Sequence, residues 1–239
     1  SINNALTSFF KGINDLAQST ENMSSRATLL EKANTLTDSF HRIVDELEQM
    51  KMFIKQSIEN KISDINNLSE NIASINEEIS ALHVSGIESN DLLDKQEALL
   101  HDLSQLVNVT VKAQSNGMVN VSTSNGALVT GTSATKISYK IDSSDEINIV
   151  NFKNNNSKYT FNTGEIKGLQ EFYNETIAKY DDKLDTLASG LIKEVNKIHS
   201  EGVGLSGGVK NIMSTNSVSN PTVALDAAGL NISPQSGDI

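Results

Sequence analysis

The sequence predicts an α+β fold: an elongated antiparallel helical bundle or coiled coil, carrying a small antiparallel β-hairpin unit and leading into the start of a β-rich domain. Three observations predict it. A heptad-spaced apolar seam runs unbroken from Leu29 to Leu82. The periodicity changes to two, with turn signals, between about residues 107 and 163. A second helical pattern returns at 166–200, followed by a Gly-, Ser- and Asn-rich stretch. The predicted organisation is a helical rod domain over 1–204 with its β insertion at about 107–163. Residues 205–239 form a linker and the truncated start of a second, β-rich domain.

The first segment places Leu6, Phe9, Phe10, Ile13 and Leu16 on one face, which predicts a short amphipathic helix. The seam that follows reads Leu29, Ala33, Leu36, Phe40, Ile43, Leu47, Met50, Ile54, Ile58, Ile62, Ile65, Leu68, Ile72, Ile75, Ile79 and Leu82. Steps of three and four dominate, with repeated fours around Ile54–Ile62 and repeated threes at Ile62–Leu68, which shift a supercoil without ending it. A continuous helix over about 26–83 would be ~87 Å long at 1.5 Å per residue, against a radius of gyration of ~18 Å for a compact globule of this length. Unless that helix breaks, a rod follows.

Such a helix needs partners. One is the Leu-rich run at 90–106, which "VSGIES" (84–89) turns back antiparallel, with Gly86 as the helix stop. The other is 166–200, with Ile166, Leu169, Tyr173, Ile177, Tyr180, Leu184, Leu187, Leu191, Val195 and Ile198. Between them, "VNVTVKA" (107–113), "MVNVST" (118–123), "ALVTG" (127–131), "KISYKI" (136–141), "INIVNF" (147–152) and "KYTFNT" (158–163) read as strands. Asn116-Gly117 and Asn125-Gly126 are hairpin signals.

Composition narrows function. A net charge of −11 argues against nucleic acid and against a polybasic membrane contact. With no cysteine there is no disulfide, thiol chemistry or thiolate zinc site. No apolar run approaches the ~20 residues of a membrane span, and "SINNALTSFFKG" lacks the features of a cleavable signal. Aromatics at 5% leave little with which to line a ligand pocket.

Candidate sites have structural explanations. Gly202, Gly204 and Gly207 match GxGxxG, but they follow a helix where a dinucleotide fold needs a strand, so they read as a helix stop and linker. His41, His83, His101 and His199 belong to no metal motif, and no GxSxG elbow is present. Asp91, Asp94 and Glu97, with His101, share three- and four-residue spacing. Helix initiation explains them: Ser89, Asn90 or Asp91 can cap, and with Asp91 at the N-cap Asp94 meets the exposed N–H groups. The helix would then turn Leu92, Leu93, Leu99 and Leu103 toward the long helix. No catalytic residue, metal ligand or cofactor is predicted.

"NDLLDKQEALLHDLSQLVNVTV" followed by "NGMVNVSTSNGALVTG" resembles the middle of the flagellar hook-associated protein 1 family, the first hook–filament junction protein. Asn90, Asp91, Leu93 and Asp94 carry the start of that signature. "GEIKGLQEFYNETIAKYDDKLDTLASGLIKEVNKIHSEGVGLSG" is similar to the family's following helix, whose ending falls on Asn196, His199 and Gly202. The likeness spans about residues 5–208, and Gln96-Glu97 departs from the Arg-Asp pair usual there. The resemblance implies a non-catalytic axial protein of the bacterial flagellum, extracellular and exported without a cleavable signal. It implies as partners other copies of itself in a ring, the hook protein, the second junction protein and, through a C-terminal segment, an export chaperone. The chain reads as part of a longer protein without its terminal polymerisation segments, and alone it is expected to be monomeric. A flagellin, the second junction protein, or an extracellular sensory or adhesive module on a coiled-coil stalk are the alternative readings.

Overall fold

The computed structural model describes residues 1–87, 89–153 and 157–201. Five α-helices and six strands follow in order: α1 (Ile2–Gln18), α2 (Met23–Val84), α3 (Asn90–Leu106), β1 (Thr110–Ala113), β2 (Val119–Ser122), β3 (Ala127–Thr130), β4 (Ser133–Ala134), β5 (Ile137–Ile141), β6 (Ile147–Asn151), α4 (Glu165–Glu171) and α5 (Ala178–Glu201). A π turn, Phe172–Ile177, joins α4 to α5. The expected α+β class is what forms. The expected β-rich start at 205–239 and the Gly202–Gly207 stretch lie outside the described residues.

Two compact units form. One comprises residues 1–42 and the C-terminal part from Lys183, the other Ile43–Asp182. In the first, Ala5 and Phe9 of α1 and Leu36 of α2 are buried, with Leu191 and Val195 of α5 packed against them. Phe9, Leu36, Leu191 and Val195 belong to the apolar stripes read from the sequence, whereas Phe10, expected on the same face as Phe9, is exposed.

In the second unit, α2 is uninterrupted through 54–68. Ile54, Ile58, Ile62, Ile65 and Ile72 enter one core with Leu103, Val121, Leu128, Ile149, Phe161 and Ile177. Gly86 takes φ +73, a left-handed conformation that suits a residue without Cβ. Its N–H donates to His83 O at 3.0 Å and Ile87 N–H to Leu82 O at 3.0 Å. This is a Schellman ending, and it closes α2 where the sequence predicts.

The strands form a four-stranded antiparallel sheet, β1-β2-β3-β4, and a two-stranded one, β5-β6. A register shift between Val121 and Ser122 leaves Leu128 as an extra residue on β3. Two neighbouring residues, Leu128 and Val129, are therefore both buried. The expected strand at 158–163 does not form. Among the described residues a single bridge, Val150 to Lys158, pairs there, with Tyr159 N–H donating to Ile149 O at 2.7 Å. The backbone of Lys158 and Thr160 is instead held by the Asn125 amide, through Nδ2 to Lys158 O at 2.8 Å and Thr160 N to Oδ1 at 2.9 Å. Gly126 of the Asn-Gly turn serves close approach, because a Cβ there would overlap the Tyr159 ring. Tyr159 and Phe161 stack beneath it, their centroids 6.3 Å apart.

Candidate functional site

The most constrained chemistry in the second unit lies where α2 meets the sheets. Asn76 is fully buried in the aliphatic seam of α2. Its Nδ2 donates to Val119 O at 2.7 Å and to Gly131 O at 2.6 Å. Its Oδ1 accepts from Val119 N at 3.0 Å and from Gln96 Nε2 at 2.9 Å. A carboxamide has two N–H donors and two oxygen lone pairs, so every one is used. Gln96, itself buried in α3, also reaches Gly117 O in the β1–β2 turn at 3.4 Å. One amide pair thus ties α2, α3, β2 and the turns at 117 and 131. A buried polar network of this kind stabilises only when fully satisfied, and it then fixes register and orientation.

The device repeats. Asn66 of α2 pairs with both backbone groups of Ile137, N–H to Oδ1 and Nδ2 to O, each at 2.9 Å. Asn174, in the π turn, does the same to Ile147 at 2.8 and 3.0 Å. Each amide occupies the place of a neighbouring strand and satisfies backbone groups at a sheet end.

A charged cluster lies further along α2. Lys51 Nζ is 2.9 Å from Asp181 Oδ2, 3.1 Å from Glu48 Oε1 and 3.6 Å from Asp145 Oδ2, with 12% of its side chain exposed. Burial alone would lower the ammonium, but its hydrogen bonds to Asp181 and Glu48 outweigh that and hold it above the ordinary lysine value. Asp145 takes the Tyr173 hydroxyl on Oδ1 at 3.1 Å, and Lys55 Nζ lies 5.3 Å from the Tyr173 ring centre. Burial and the Asp145 carboxylate raise the Tyr173 phenol, against the Lys55 hydrogen bond. Lys61 meets Glu165 at 2.6 Å at the start of α4. Lys51, Lys61, Asn66 and Asn76 therefore make α2 a spine with anchors at intervals.

The signature residues fall elsewhere. α3 begins at Asn90 with Ser89 in the N-cap position, and Ser89 makes no side-chain capping bond. Asp91 lies in the first turn rather than at the cap, which moves Asp94 beyond N3. Asp91, Asp94, Glu97 and His101 are all exposed. Leu93 is 41% exposed and does not face α2 as expected. Gln96 takes that inward position, because α3 presents Gln96, Leu103 and Leu106 to the core. Asn196 and His199 are exposed on the last turns of α5, and Gly202 lies outside the described residues. Among the described residues no three His, Asp or Glu side chains converge as a metal site.

Sequence reasoning missed Asn66, Asn76, Asn174 and Lys51. The available signal was phase: Asn76 stands one turn from both Ile72 and Ile79, a buried position that the seam assigned to Ile75. Gln96, noted only as a departure from a family pattern, has a neutral partner in Asn76. An amide–amide contact needs no charge on either side.

These features can be set beside known proteins. The family model described as the flagellar hook-associated protein FlgK helical domain matches residues 1–212. Flagellar hook-associated protein 1 of Salmonella typhimurium is 28% identical over 217 residues, covering 87% of this chain and 39% of that protein. Its counterpart in Escherichia coli K12 is 27% identical over 209 residues, covering 83% and 38%. Among solved structures, the flagellar hook junction protein FlgK from Burkholderia pseudomallei matches with a TM-score of 0.77 at 27% identity, covering 86% of this chain and 39% of that one. The chain thus spans about two fifths of the length of these relatives. With a helical-domain model matched over residues 1–212 of 239, the chain belongs to the flagellar hook-associated protein FlgK helical-domain family.

Proposed function

We propose that this chain is the helical domain of a protein that joins the hook of a bacterial flagellum to its filament, and that its role is shape and not catalysis. The observation that carries this reading is the joint match, in sequence over residues 1–212 and in fold at a TM-score of 0.77, to proteins described as hook-associated and hook-junction proteins. The site chemistry supports it. Asn76 and Gln96 are neutral and buried, and every donor and acceptor position of Asn76 is engaged, which suits fixing a sheet on a helix pair.

On this reading the whole protein assembles with further copies of itself, the hook protein and the second junction protein, and it is exported to the flagellum without a cleavable signal, with an export chaperone. Asn90, Asp91, Leu93, Asp94, Asn196, His199 and Gly202 serve as family-pattern and helix-end positions, not as ligands. Residues beyond about 204 lead into a further domain.

Deleting the full-length gene tests the proposal. The expected result is hooks without attached filaments and non-motile cells. Filaments that stay attached on motile cells would rule the junction role out.

A further inference from the structure

The helix from Glu165 to Glu201 holds one residue more than a regular helix needs. Phe172–Ile177 forms a π turn, and an added residue re-phases all that follows by about 100°. Anchors on both sides hold this state. Before and within the turn, Gln170 Nε2 and Asn174 Nδ2 donate to Ile147 O at 2.8 and 3.0 Å, and Tyr173 is buried with its hydroxyl on Asp145. After it, Ile177 is buried and Asp181 meets Lys51 at 2.9 Å.

Two further observations bear on the segment. Asp145 is the one non-glycine residue with positive φ among the described residues, at 58°, and both its carboxylate oxygens are engaged by this cluster. Gly168 lies one turn upstream of the π turn, and a Cβ there would meet nothing within 4 Å. Packing does not require that glycine, and it weakens the helix beside the turn.

We propose that the π turn is a register reserve, held wound by the ionic clasp of Lys51 on Asp145 and Asp181. Release of the clasp lets the extra residue run out of the turn and re-phases Ala178–Asp182 against the β5–β6 hairpin. This is a conformational device of the second unit and stands independently of the junction role.

Hydrogen exchange of the 239-residue chain, read by mass spectrometry, tests it. Lys51→Met removes the clasp whole, and Asp181→Asn removes the charge of its shorter arm, at 2.9 Å. Both are expected to speed exchange of peptides across 172–182 by about tenfold or more, while peptides across 119–130 stay within about twofold of wild type. Lys136→Met, which removes the separate pair with Glu70 at 2.8 Å, is expected to leave 172–182 unchanged. Deleting Phe172 removes the reserve, so the chain should fold and Lys51→Met should then no longer speed exchange there. The proposal is overturned if neither clasp variant speeds 172–182, if the change spreads equally to 119–130, or if Lys136→Met reproduces it. It is also overturned if the acceleration persists without Phe172. A deletion chain that does not fold overturns it too, because the uninterrupted helix must be an accessible state.

Discussion

Asn76 Oδ1 accepts a hydrogen bond from Gln96 Nε2 at 2.9 Å, beside a core of mainly aliphatic side chains. The contact closes a network in which the other three bonding positions of Asn76 are taken by strand and turn backbone. Removing Asn76 takes a hydrogen-bond partner from four groups at once, whereas removing Gln96 takes one from Asn76 Oδ1, which keeps Val119 N–H, and one from Gly117 O. Asn76→Ala is therefore expected to destabilise the chain by about 2–4 kcal/mol and Gln96→Ala by about 1–2 kcal/mol, from urea denaturation. In the double mutant the losses should fall short of additivity by at least about 0.5 kcal/mol. Additive losses would mean that the two amides act separately.

Gly126 and Gly168 are expected to respond in opposite directions. A methyl at Gly126 overlaps the Tyr159 ring, so Gly126→Ala should destabilise by about 1–3 kcal/mol. A methyl at Gly168 meets open space, so Gly168→Ala should stabilise by about 0.5–1 kcal/mol. Thermal melts by circular dichroism decide both, and equal shifts of the same sign would contradict the packing described for either site.

Lys51 gives the fold a signature at alkaline pH. Its folded-state value lies above the ordinary 10.5, so its contribution is fully present below pH 10.5 and is lost as pH rises through the folded value. Lys51→Met is expected to destabilise by about 1–3 kcal/mol at pH 7, less than for a wholly buried pair because the partner carboxylates are partly exposed. The gap between wild type and variant in denaturant melts should stay constant from pH 7 to 10 and narrow above that. A gap that grows with alkalinity would contradict the assignment.

Ser69 offers a gain. Its hydroxyl is buried in α2, and among the described residues its Oγ has no hydrogen-bond partner. Ser69→Ala removes an unmet polar group at nearly constant volume and is expected to leave stability unchanged or raise it by up to about 1 kcal/mol. A loss above about 1 kcal/mol in the same denaturant assay would show that the hydroxyl is satisfied.

The architecture was legible where apolar spacing alone decides it. The α2 seam from Ile54 to Ile72, Leu99 and Leu103 of α3, the stop at Gly86 and the two Asn-Gly turns follow from periodicity and backbone sterics. The features that lock these parts together were not legible. Asn66 and Asn76 look like interruptions of a seam, because nothing local says that a backbone pair stands opposite. Ile166, Tyr173, Ile177 and Leu184 keep heptad spacing, so the π turn is invisible in one dimension. Residues 158–163 alternate like a strand, yet beyond the bridge at Lys158 their backbone is held by the side chains of Asn125 and Asn108, distant in sequence. Leu93 belongs to a leucine run and still faces outward, because the inward position next to it is filled by an amide that pairs with Asn76. Tertiary hydrogen bonding, not hydrophobicity, decides each of these cases.

On the proposed function this domain acts through its shape, set at the Asn76–Gln96 lock, and not through the exposed acids at the start of α3. Counting hooks that carry filaments, by electron microscopy of cells making the full-length protein, tests it most directly. Asn76→Asp buries a charge against two carbonyl groups and is expected to cost more than about 4 kcal/mol. Those cells should show bare hooks, while the triple change Asp91→Asn, Asp94→Asn, Glu97→Gln should leave filament counts at wild-type level. Filaments kept with Asn76→Asp but lost with the triple change would place the role on the acids and not on the lock.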